Sequence, residues 1–141
     1  METVFTEFSS YNQIMLWDVE DRNSTAQWFT GNEMVVFGLK GINVGVLNDS
    51  NIEITIRRAE EPAGILNKIV EKDQIPQTYQ SLASGVIHIG KHGIAIGAPT
   101  SDGNIIEWEE GMTLVEVWVE KPRDGTKVLF LLKPLPNGYE W

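Results

Sequence analysis

The feature that most constrains this chain is a two-residue period. In Ile52-Glu53-Ile54-Thr55-Ile56-Arg57 the isoleucines fall on one side and Glu53, Thr55 and Arg57 on the other. That alternation is the pattern of a strand with one buried and one wet face. Residues 113–120 repeat it, with Val115, Val117 and Val119 turned inward and Glu116, Trp118 and Glu120 outward. The runs Gln13-Ile14-Met15-Leu16-Trp17 and Val128-Leu129-Phe130-Leu131-Leu132 lack alternation and suit strands covered on both faces.

Further strand candidates lie at 33–39, 42–47, 85–89, 94–96 and 105–108. They are separated by Lys40-Gly41, Asn48-Asp49-Ser50, Gly90-Lys91-His92-Gly93, Ser101-Asp102-Gly103-Asn104 and Arg123-Asp124-Gly125. Gly and Asn tolerate the positive φ of tight hairpin turns. About nine short strands so spaced predict an all-β fold, an antiparallel β-sandwich or jelly-roll-like barrel. Residues 62–72 are the exception. Ile65, Leu66, Ile69 and Val70 sit at helical spacing behind Pro62, which predicts a short helix there, with a strand as the alternative. The 141 residues read as one domain, 1–141, with a Pro-containing C-terminal tail at 133–141.

Composition narrows the function. Twenty acidic against eleven basic residues leave a net charge of -9, the wrong sign for nucleic acid, whose affinity rests on Lys and Arg neutralising phosphates. There is no cysteine, hence no disulfide framework, thiolate nucleophile or cysteine zinc site. No run reaches the ~20 apolar residues that span a bilayer, and the N-terminus carries acid where a signal peptide carries base. A cytoplasmic protein is the expectation. His88 and His92 flank a glycine turn with no third ligand nearby, so no metal is expected. Gly85, Gly90, Gly93 and Gly97 lack the strand-turn-helix context of a phosphate loop, and no serine stands in a Gly-x-Ser-x-Gly elbow. The expectation is a non-catalytic chain without cofactors.

Acid beside aromatic is the more informative pattern. Glu107-Trp108-Glu109-Glu110 precedes the strand at 113–120, and Trp17 is followed by Asp18, Glu20 and Asp21. Carboxylates around aromatic anchors suit a basic protein partner, charge steering the encounter and the ring supplying buried contact. Glu107, Trp108, Glu109, Glu110, Asp18, Glu20 and Asp21 are therefore the candidate partner-binding residues. The competing reading has the acids solubilising the surface and the tryptophans filling the core. Two other functions remain open. One is a carbohydrate-type module using Trp108, Trp118 and Trp141 as a platform. The other is an assembly domain, a homo-oligomer among its forms, whose tail reaches a neighbour.

The stretch Phe8-Ser9-Ser10-Tyr11-Asn12-Gln13-Ile14-Met15-Leu16-Trp17-Asp18 resembles the competence J family of bacterial DNA-entry nuclease inhibitors. The likeness continues through Trp28, Val35-Val36-Phe37-Gly38 and Ile52-Glu53-Ile54, and in character to Ser84-Gly85-Val86-Ile87-His88-Ile89. The resemblance implies a non-catalytic acidic β domain that binds a nuclease and blocks it. No binding residue is carried over from the family. The seven residues above rest on charge and clustering alone.

Overall fold

The computed structural model describes residues 2–9, 11–21, 34–59, 75, 78–121 and 125–136. Ten strands run through them: β1 Glu2–Phe8, β2 Gln13–Asp18, β3 Val35–Phe37, β4 Gly41–Gly45, β5 Asn51–Arg58, β6 Gln80–Ile89, β7 Ile94–Gly97, β8 Asn104–Ile106, β9 Gly111–Val119 and β10 Lys127–Pro134. They form two five-stranded sheets, β1-β5-β10-β9-β6 and β3-β4-β2-β7-β8. The all-β expectation is met, with no helix among the described residues. The predicted helix at 62–72 lies outside them. No helix among the described residues is long and apolar enough to cross a membrane.

The two sheets share one core. Ile14 and Leu16 of β2, Ile42 and Val44 of β4 and Ile94 and Ile96 of β7 meet Ile52, Ile54 and Ile56 of β5, Val115, Val117 and Val119 of β9 and Phe130 of β10. All are buried β-branched or aromatic side chains except Leu16, and each contributes roughly 1.5–3 kcal/mol relative to exposure. The alternation at 52–57 holds with one exception: the isoleucines are fully buried, Glu53 is exposed and Arg57 half-buried, but Thr55, expected on the wet face, is buried at the centre of the strand between β1 and β10. The two unbroken runs are covered twice. Leu129 and Leu131 pack with Leu114, Ile75 and Leu135 on the outer face of the first sheet. Met15 and Trp17 pack with Ala95 on the outer face of the second.

Three details depart from the sequence reading. A tenth strand, β1, pairs antiparallel with β5 from Glu2 opposite Arg57 to Phe8 opposite Asn51. Its period escapes notice because Val4 and Phe8 face solvent while Thr3, Phe5 and Glu7 are half-buried, so apolar and polar residues do not separate by face. The sheets are not wholly antiparallel, since β10 runs parallel to β5. The strand also takes in the first two residues of the tail at 133–141: Lys133 and Pro134 pair with Leu114 and Thr113 of β9. Pro134 is tolerated because it closes the strand, and the Leu135 N–H bonds onward to the Met112 carbonyl at 2.9 Å.

Strand directions sort the loops to two ends. The C-terminal ends of β2, β5, β6, β8 and β10 and the N-terminal ends of β1, β4, β7 and β9 share one end, as the registers of Trp17 with Gly41, Asp18 with Ile94, Ile94 with Ile106 and Ile89 with Gly111 require. Ser9, Tyr11 and Asn12, residues 46–50 and 98–103, and Glu120, Lys121, Gly125 and Thr126 lie at the other.

Candidate functional site

The two acidic groups stand about ninety positions apart in the chain, and the fold brings them to the same end. Asp18 closes β2, with Glu20 and Asp21 in the turn beyond it; residues 107–110 join β8 to β9. The β6–β7 turn, 90–93, lies between them. The Gly93 carbonyl accepts the Val19 N–H at 3.1 Å on one side. On the other, Gly93 packs against the Ile106 carbonyl and Glu107 so closely that a Cβ would strike that oxygen, and its φ is +93°. Only glycine fits both demands.

The first group is cross-linked by charge. Asp18 is buried, and one of its oxygens is 4.0 Å from Lys40 Nζ. Lys40 also reaches Asp21 at 3.6 Å. The other Asp18 oxygen accepts the Glu20 N–H at 3.3 Å. Glu20 in turn lies 2.7 Å from His92 Nε2 in the neighbouring turn. Gly90 passes close enough that a Cβ would sit 3.0–3.2 Å from the Glu20 and Asp18 carboxylates. Lys40 comes from the β3–β4 turn, so three separate connections meet here.

The second group is held by Trp108. The ring is 9% exposed and belongs to the shared core; its indole N–H donates to Thr113 Oγ1 at 2.8 Å. The Arg58 guanidinium lies 5.2 Å from the ring centroid and pairs with Glu109 at 2.6 Å. Trp108 therefore supports the acids from beneath, through Arg58, and offers little surface itself. Trp17, 3% exposed, packs with Met15 and Ala95 on the outer face of the second sheet, its ring against Gly103. Glu107, Glu109 and Glu110 are exposed. Among the described residues no ion pair reaches Glu107 or Glu110.

This end carries six of the seven candidate residues as carboxylates, against Lys40, Lys91, Arg58 and the imidazole of His92. Sequence reasoning found the acids and missed Arg58 and Lys40. Arg58 ends the alternating strand, and Lys40 was visible as the first residue of a Lys-Gly turn; neither signal says which acid it meets. The aromatic platform does not form. Trp108 is in the shared core, whereas Trp118 lies on the outer face of the first sheet, half-buried, its N–H on Glu116. Trp141 lies outside the described residues. No three His, Asp or Glu side chains among the described residues are grouped to hold a metal ion.

A two-sheet β-sandwich of ten strands is the class of protein this topology defines. Its architecture is ComJ-like. The chain is similar to ComJ from Bacillus subtilis, described as an inhibitor of the DNA degrading activity of NucA, with a TM-score of 0.63 and 12% identity over 94% of this chain and 96% of that one. It is also similar to the product of crocagin biosynthetic gene J, with a TM-score of 0.54 and 12% identity over 94% of this chain and 95% of that one. No protein-family model and no curated protein matches the sequence.

Proposed function

We propose that the chain is a non-catalytic protein-binding module that inhibits a nuclease, with its acidic end laid over the basic groove in which the nuclease holds DNA phosphates. The observation that carries this reading is the convergence of Glu20, Asp21, Glu107, Glu109 and Glu110 on one end of the sandwich, around Gly93. A cluster of carboxylates there meets Lys and Arg in the way phosphates do. The ComJ-like fold supports it, since that neighbour is an inhibitor of a DNA-degrading activity.

Roles divide within the seven residues. Among the described residues Glu107 and Glu110 have no ion-pair partner to surrender, so they supply the cheapest contacts to a basic groove. Glu109 and Glu20 must first release Arg58 and His92, which offsets part of their gain. Trp108 and the buried Asp18 hold the others in place. The test is a DNA-degradation assay with a nuclease purified from the cells that make the chain. Added chain is expected to suppress degradation stoichiometrically, and Glu107→Gln with Glu110→Gln to raise the amount required by about tenfold, a loss on the order of 1.4 kcal/mol. Undiminished degradation at large excess of chain refutes the reading.

A further inference from the structure

The opposite end sets exposed apolar side chains beside its charged ones, Asp49, Asp102, Glu120 and Lys121. Ser9, Tyr11 and Asn12, between β1 and β2, meet residues 46–50, between β4 and β5, and Ser9 ties the two together. Ser9 has no exposed surface. Its N–H donates to the Ser50 carbonyl at 2.8 Å, and its carbonyl accepts the Asp49 N–H at 3.1 Å. Its hydroxyl donates to the Leu47 carbonyl and accepts the Ser50 N–H at 3.1 Å. The Asn12 carbonyl accepts the Val46 N–H at 2.9 Å, and the Asn12 N–H donates to Asn48 Oδ1 at 3.3 Å.

This knot holds strain at one residue. Tyr11, Asn12 and Asp49 have φ of 56°, 60° and 49°, and they are the only non-glycine residues with positive φ among those described; Asn and Asp adopt that region readily, a tyrosine does not. A left-handed tyrosine persists only where its surroundings over-determine it, and such residues gather at functional sites. The knot also presents apolar surface: Phe8 is 56% exposed, Tyr11 67% and Leu47 38%. These are three of the six large hydrophobic side chains exposed among the described residues.

The shape and charge of this tip select its occupant. A convex loop tip buries little against another convex tip, and three side chains fall well short of the ~800 Å² per partner of a standard interface. Two copies would also bring their Asp49 carboxylates and net charges of -9 together. An anionic membrane surface repels the same charge. A concave apolar pocket on another protein fits: it encloses Tyr11 as an anchor, and a Lys or Arg on its rim meets Asp49.

We propose that Phe8, Tyr11 and Leu47 form a preorganised plug for an apolar, basic-rimmed pocket on a second protein, independent of the acidic end, so that the chain works as a two-ended connector. The test is photo-crosslinking in the cells that make the chain, with benzoylphenylalanine in place of Tyr11 in the full-length protein. The expected result is one discrete protein adduct whose mass is not that of two chains. Phe8→Ala with Leu47→Ala lowers its yield at least tenfold, Asp49→Asn lowers it several-fold while keeping a side chain that tolerates the left-handed backbone, and Glu107→Gln with Glu110→Gln leaves it unchanged. Leu47→Ser alone, an exposed substitution, reports the same loss if the double variant does not fold. An adduct of two chains, a lipid adduct, no adduct, or one indifferent to Phe8 and Leu47 overturns the proposal. So does an adduct lost with Glu107 and Glu110, which would make both ends one interface. Nuclease inhibition is read in parallel and stays at the wild-type level in Phe8→Ala with Leu47→Ala, so failure here is separable from failure of the inhibitor reading.

Discussion

The two ends of this sandwich use aromatic and polar residues in opposite ways. At the acidic end Trp17 and Trp108 are buried and carboxylates face solvent; at the other, Ser9 is buried and Phe8, Tyr11 and Leu47 face solvent. The difference separates two means of meeting a partner. Carboxylates act over distance and are screened by salt within about 8 Å at physiological ionic strength. An apolar tip acts only on contact, by shape. It also shows why an aromatic residue beside acids in a sequence is an ambiguous sign: Trp108 lies next to three glutamates and works from below them, whereas Tyr11 has no acidic neighbour in sequence and stands in the open.

The sharpest way to break this comparison is to truncate the aromatics. Trp108→Ala removes a core side chain and should cost about 3–5 kcal/mol in denaturant unfolding; a cost below 1 kcal/mol would move Trp108 out of the core and restore it as a contact residue. Ser9→Ala deprives the Ser50 N–H and the Leu47 carbonyl of a partner and should cost about 1–3 kcal/mol. Arg58→Ala removes an ion pair whose members are both partly exposed, together with the contact on Trp108, and should cost roughly 1 kcal/mol. Tyr11→Ala should change stability by no more than about 0.5 kcal/mol, as surface substitutions do. Equal costs for Trp108 and Tyr11 would erase the contrast between the ends.

A pH titration gives a control away from the acidic end. Burial raises the Tyr79 hydroxyl pKa above its ordinary value of 10.0, with the Glu53 and Glu120 carboxylates adding to the rise and Arg57 opposing it. The unfolded chain therefore loses this proton first, and the stability Tyr79 contributes is fully present below pH 10 and lost as pH rises above it. Tyr79→Phe should flatten the alkaline limb of a stability–pH curve. An unchanged limb would contradict that assignment.

Much of the fold was legible because burial wrote it into the sequence. Ile52, Ile54 and Ile56 alternate with polar residues because one face of β5 is core. The run at 128–132 does not alternate because Leu129 and Leu131 are covered by a second apolar layer. β1 was illegible for the complementary reason, since Val4 and Phe8 are apolar and exposed. The acids at 18–21 and 107–110 could be picked out one group at a time, but their meeting depends on how β2, β7 and β8 pair, which no local pattern encodes. The knot at Ser9 was hidden further, because its strain resides in the φ of Tyr11, a torsion that no local residue pattern announces.

The most direct test of the central claim is the association rate of the chain with the nuclease it is proposed to inhibit, measured at low and high salt. The wild-type rate should fall steeply as salt rises, and replacing Glu107, Glu109 and Glu110 together by glutamine should slow association and flatten that dependence. An unchanged rate and an unchanged salt slope in the triple variant would contradict the claim that the acidic end makes the inhibitory contact.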